Sequence, residues 1–115
     1  MFNFTDIEHE WDRAGLARHT SAEEMDRVAD GILNCRADGV IVECGSFTGF
    51  SSACLSIACA LTERTLIVAD SFAGLPDTGV APDPPCKKGQ FAASRNEWEN
   101  NVQRFGCRRV IKVME

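Results

Sequence analysis

The chain lacks an excess of positive charge, a long apolar run and an export signal, and each absence removes a class of function. Lys and Arg number 12 against 17 Asp and Glu, for a net charge of -5 and a pI near 5.0. No broad basic field is available for nucleic acid or an anionic membrane. The pairs Lys87-Lys88 and Arg108-Arg109 are too short to reverse that. The longest nearly apolar stretch, Ala53 to Leu61, falls well short of the roughly 20 residues a membrane span requires. Residues 1 to 10 carry acidic side chains where a signal peptide needs a basic start and an apolar run. The expectation is a cytoplasmic protein with no membrane and no nucleic-acid partner.

The six cysteines include no Cys-x-x-Cys pair and no His at ligand spacing, so a zinc site is not expected and no metal ligand is assigned. Their even number would suit three disulfides in a secreted protein; without an export signal, reduced thiols are expected. Cys44, Cys54 and Cys59 lie in apolar segments, where cysteine behaves as a small hydrophobe. There is no internal repeat, coiled coil or low-complexity tract. With 115 residues, 44% hydrophobic and 25% charged, the chain reads as one globular unit with a single core, too short for two full domains.

Residues 6 to 18 suit a short amphipathic helix. Ser21-Ala-Glu-Glu24 is a capping box that starts a helix, because the Ser hydroxyl accepts from the third helical N–H while the Glu reaches back. Met25, Val28, Ala29, Ile32 and Leu33 then follow at helical spacing, and Asp38-Gly39 supplies the stop. Val40-Ile41-Val42 is a β-branched run without polar alternation, the pattern of a strand covered on both faces. Gly45 to Gly49 make a turn, Phe50 to Leu61 a helix of small residues, and Thr65 to Ala69 a second strand ending on Asp70. Ser71 to Gly89 holds all four prolines and reads as a long loop, of a length that in compact domains is usually functional or disordered. Ser94-Arg-Asn-Glu97 is a second capping box, for a helix through Trp98, Val102 and Phe105 to Gly106. Val110 to Met114 is a third strand.

Strand, helix, strand, helix, strand is one mononucleotide-binding half of a doubly wound parallel α/β sheet, preceded by helices. The other half is missing from this reading. The expected organisation is an N-terminal helical segment over residues 1–20 and a partial nucleoside-binding domain over 21–115. The third strand then exposes an apolar edge, which sheets normally pair or cover, and homo-oligomerisation through that edge is the corresponding expectation.

Ligands of such sheets bind outside the carboxyl ends of the strands, here at the turn after Cys44 and at Asp70. Gly45 and Gly49 let the backbone come close, and the helix beginning near Phe50 directs N–H groups that suit an amino-acid carboxylate. Asp70, 27 residues after Glu43, is placed to accept both hydrogens of a ribose diol. Dinucleotide turns need Gly-x-Gly-x-x-Gly to clear a pyrophosphate; Gly45-Ser-Phe-Thr-Gly49 lacks the middle glycine. Glu43 would repel a pyrophosphate but could receive an ammonium directly or through water. These features favour S-adenosylmethionine over NAD.

Val42-Glu43-Cys44-Gly45 through Gly49-Phe50-Ser51-Ser52, followed by Val68-Ala69-Asp70-Ser71-Phe72-Ala73-Gly74-Leu75-Pro76, resembles the macrocin O-methyltransferase family. That family methylates sugar hydroxyls of macrolide and aminocoumarin antibiotics. The second motif is the more specific. Residues 47–52 also resemble the turn of caffeoyl-CoA and catechol O-methyltransferases, which lack the Asp-Ser-Phe-x-Gly-Leu-Pro continuation. Gly89-Gln-Phe91 to Ser94 and Asn101 to Gly106 fit the first family as well. The resemblance spans about residues 16–115 and implies the N-terminal portion of a Rossmann-like class I methyltransferase fold.

It further implies that Glu43, Gly45, Ser46, Phe47, Asp70 and Ser71 line S-adenosyl-L-methionine, with Thr20 and Ser94 near it and a small-molecule hydroxyl as the acceptor. The family's magnesium ligands and catalytic groups lie on later strands, outside this sequence. No catalytic residue is therefore assigned.

Local roles compete with several of these assignments. Ser94 is explained by its capping box, and Thr20 by its place before a capped helix. Glu43 could be a strand-end carboxylate in solvent or a cap of the following helix, and Asp70 a turn residue. His9 and His19, without triad partners, are expected in solvent. Trp11 and Trp98 suit helix packing, with a cap over adenine as the lesser alternative for either. Asp77, Asp83, Cys86, Lys87 and Lys88 would form either a substrate lid or a solvated loop. Two other functions stay open: a non-catalytic remnant or association module, and a nicotinamide-dependent dehydrogenase.

Overall fold

The computed structural model describes residues 1–74 and 92–115. Most of the proline-rich stretch, the five candidate lid residues, and the Leu75-Pro76 and Gly89-Gln90-Phe91 pieces of the motifs lie outside the described residues. Two capping boxes start two of the helices. The Ser21 hydroxyl accepts the Glu24 amide at 3.1 Å and Glu24 accepts the Ser21 amide at 3.3 Å, opening α2 (Ala22–Leu33). Ser94 and Glu97 repeat the exchange at 3.1 and 3.3 Å, opening α4 (Arg95–Phe105).

Helix α1 (Thr5–Arg13) stops well short of residue 18. Its Trp11 turns inward, packs on Phe50 and Phe105, and donates its indole N–H to the Ala17 carbonyl at 2.9 Å. That bond holds residues 14–20 as a turn over the core. In α2 the buried stripe is Ala22, Met25, Ala29 and Ile32. Val28 and Leu33, expected on the same face, remain 50% and 47% exposed. They fall on the two flanks of the stripe, where a helix curves away from its neighbour.

Strands β1 (Ile41–Cys44), β2 (Leu66–Ala69) and β3 (Ile111–Met114) form one parallel sheet in the order β1-β2-β3. Helix α3 (Phe50–Leu61) connects the first two, and a 3-10 turn over Arg108–Val110 leads into the third. The register sets Ile41, Leu66 and Ile111 in one row and Glu43, Val68 and Val113 in another. Those rows face the helices, in one core with Trp98, Val102, Phe50 and Cys54. The intervening rows are Val42, Ile67, Lys112 and Cys44, Ala69, Met114. Val42 and Met114 are 55% and 59% exposed.

The sheet is thus covered on one face and open on the other among the described residues. This corrects one expectation, that β1 is enclosed on both faces; the three-stranded parallel sheet with its helices is a small α/β domain compatible with a Rossmann-like fold. Strand side chains alternate between faces, which puts Glu43 on the covered face with Ile41 and the apolar Val42 and Cys44 on the open one, so no polar alternation in the sequence marks the open face. Of the three cysteines in apolar segments, Cys44 falls on the open side and is exposed, whereas Cys54 and Cys59 are buried. Burial pushes both of those thiols above their ordinary pKa, so they stay protonated and inert.

Helices α3 and α4 approach closely at two glycines. A Cβ on Gly106 would stand 2.7 Å from the Ala53 Cα. Gly49, the residue before α3, has a φ of +105°, and a Cβ there would stand 3.1 Å from Trp98 Cδ1 and from Val102 Cγ2. Its first duty is to let α4 reach the site.

Candidate functional site

At the carboxyl ends of β1 and β2 lies a cavity of about 310 Å3. Of the nine residues expected at a cofactor, Thr20, Gly45, Ser46, Phe47 and Asp70 line it. Glu43, Gly49, Ser71 and Ser94 stand outside the lining. Ser94 caps α4, and the Ser71 hydroxyl accepts the Ala73 amide at 3.3 Å. Gly49 is packed beneath Trp98.

Asp70 ties the two strand tips together. Its Oδ2 accepts the Ser46 amide at 2.7 Å and the Ser46 hydroxyl at 2.9 Å, and its Oδ1 accepts the Phe72 amide at 2.9 Å. Burial pushes its carboxyl upward, but the donors from Ser46, Phe72 and Phe47 outweigh that and hold it below the ordinary aspartate range. A carboxylate offers about four lone-pair sites, and the donors from Ser46, Phe72 and Phe47 take up most of them.

Phe47 occupies the position of the missing middle glycine. It has a positive φ, +46°, a conformation that is costly for a side-chain-bearing residue. Phe47 lines the cavity.

Glu43 faces inward from β1. Its two oxygens accept the hydroxyls of Ser51 and Ser52 in the first turn of α3. Burial raises its pKa, the two hydroxyls work in the opposite direction, and the negative charge of Asp70 raises it further. Ser51 lines the cavity while Glu43 does not. A hydroxyl that donates to a carboxylate keeps its lone pairs for other donors. Through Ser51, Glu43 can therefore impose an acceptor on the cavity without touching it.

The remaining wall is the turn after α1. Thr48 Oγ1 donates to the Ala17 carbonyl at 2.5 Å. Arg18 forks onto Asp12 at 2.9 and 3.0 Å, bonds the Thr20 carbonyl at 2.8 Å, and lies 5.6 Å over the Phe50 ring. His19 is exposed, with its ring tilted on Phe47 at 4.3 Å. Arg18 and His19 line the cavity with Thr20, and sequence reasoning missed both. Their only sequence signal is adjacency to Thr20, because the Arg18–Asp12 pair spans a turn and not a helical repeat.

Among the described residues no three His, Cys, Asp or Glu side chains are grouped to hold a metal, and no helix is long and apolar enough to cross a membrane. No protein-family model matches the chain, and no curated protein matches it.

Proposed function

We propose that this chain holds the methyl donor S-adenosyl-L-methionine and forms the donor-binding portion of a Rossmann-like, macrocin-type O-methyltransferase. Its acceptor would be a hydroxyl of a small molecule, a sugar on a glycosylated natural product. The observation that carries the reading is that one cavity is lined by Gly45, Ser46, Phe47 and Thr48 of the turn together with Asp70. Volumes of this order suit small-molecule sites.

In this reading Asp70, which lines the cavity, exchanges part of its present donor set for the hydroxyls of the ribose diol. Ser51, oriented by Glu43, accepts the ammonium of the methionine moiety, a shift from direct contact to relayed contact. The N-terminal turn of α3 faces the carboxylate. The donor supplies an electrophilic methyl on sulfur, and the residues described here bind and orient it without moving a proton. Magnesium, expected by resemblance to the family, has no ligand set among them. The Phe47 ring supports a sulfonium nucleoside over NAD, since a dinucleotide needs close backbone approach at that point.

Calorimetry tests the proposal. S-adenosylmethionine and S-adenosylhomocysteine should bind and NAD should not compete. Asp70→Ala should weaken binding by on the order of 1.5–3 kcal/mol, the worth of hydrogen bonds to a charged group. Absence of binding, or displacement by NAD, sinks the reading. The open sheet face favours a second reading, an association module; a concentration-dependent mass in light scattering without nucleoside binding would support it.

A further inference from the structure

We infer that Trp98 is the positioning residue of this site, with its indole N–H joined through the Ser52 hydroxyl to the Glu43 carboxylate. Trp98 is fully buried on α4, far from Glu43 in sequence. Its Nε1 donates to Ser52 Oγ at 3.1 Å. Ser52 spends its one proton on Glu43, so the indole fills the acceptor side of the same hydroxyl. Donors and acceptors in such a chain polarise one another, which strengthens each bond in a buried setting.

The same ring reaches the rest of the site. It lies against Gly49, whose missing side chain admits it. It meets the ring of Phe72 edge-on at 5.8 Å, and the Phe72 amide is one of the donors on Asp70. Arg108 lies 5.4 Å over the ring, anchored to Glu99 at 2.7 and 2.9 Å. One side chain on α4 therefore braces the group behind Ser51 and the turn that shapes Asp70. The inference rests on the proposed function only in taking Glu43 and Asp70 as recognition groups.

A packing role and a positioning role differ in one observable. If Trp98 only fills the core, its indole N–H ignores the charge on Glu43. If it completes the chain, the two move together. The ionisable groups around Glu43 are few among the described residues: Asp70 from the end of β2 and the Cys54 thiol on α3. Asp70 is held below the ordinary range and Glu43 above it, so their transitions separate on a pH axis.

The test uses the full chain labelled with 15N and with 13C at glutamate carboxyls. The Trp98 indole resonance, assigned through bonds, should shift along one sigmoid whose midpoint matches that of the Glu43 carboxyl. In Glu43→Gln that shift should vanish. Trp98→Phe keeps an aromatic ring and loses the N–H; its S-adenosylhomocysteine affinity should fall about two- to tenfold, the worth of one neutral hydrogen bond. An indole signal that stays flat through the Glu43 transition overturns the inference, as does unchanged affinity in a folded Trp98→Phe. A wild-type chain that binds no nucleoside overturns the proposed function, while the indole titration still decides this one.

Discussion

Asp70 and Glu43 stand on neighbouring strands, and their surroundings push them in opposite directions. Asp70 is held below its ordinary value by amide donors that overcome its burial. Its contribution to stability is therefore present above the unfolded value, about 3.9, and is lost as pH falls through the lower folded value. Asp70→Asn should remove that acid-side dependence and cost about 1–2 kcal/mol at neutral pH, the modest figure reflecting partial exposure. Glu43 has the reverse sign. Its folded value is raised by burial, so its contribution is present below the unfolded value and lost as pH rises through the folded one. Glu43→Gln should leave neutral-pH stability unchanged or higher. Thermal melts of both variants across pH 2.5–8 (about the range over which carboxylates titrate) check the two signs together. The position of Asp70 was legible because a strand end after a β-α-β unit is a local pattern. Its bonds to Ser46 were not, since that contact spans 24 residues.

Helix boundaries were the most legible elements, because a capping box places donor and acceptor three residues apart. Both Ser21 and Ser94 begin helices as expected. Ser94→Ala should cost about 1 kcal/mol of stability and leave nucleoside affinity unchanged, since the hydroxyl is engaged by the Glu97 amide. A calorimetric loss of affinity matching the loss of stability would restore Ser94 as a cofactor residue. Less legible were the early stop of α1, which depends on Trp11 reaching Ala17, and the 3-10 turn before β3. The turn over residues 17–20 is held as a wall of the site by Trp11 and Thr48, which both donate to the Ala17 carbonyl, and by Arg18 on the Thr20 carbonyl.

At the scale of the molecule, one sheet presents two unlike faces. Leu66 is fully buried beneath the helices, while Val42 and Met114 stand largely in solvent. Leu66→Ala should cost about 2–5 kcal/mol. Val42→Ser and Met114→Ser should each stay within roughly 0.5 kcal/mol, as measured by denaturant unfolding. A large loss at Val42 or Met114 would mean that the open face is covered in solution. The sequence by itself determined the order of strands and helices, both capping boxes, the turn between Gly45 and Gly49 and the place of Asp70. Each of these is written in residues a few positions apart, within reach of a single helical turn or strand end. Only the tertiary structure decided which face of the sheet is covered, that Ser51 stands between Glu43 and the cavity, that Arg18 and His19 join the wall, and that Trp98 braces Glu43. Those outcomes depend on side chains distant in the chain meeting in one packed core, where volume and hydrogen-bond satisfaction choose among faces that sequence spacing leaves equivalent.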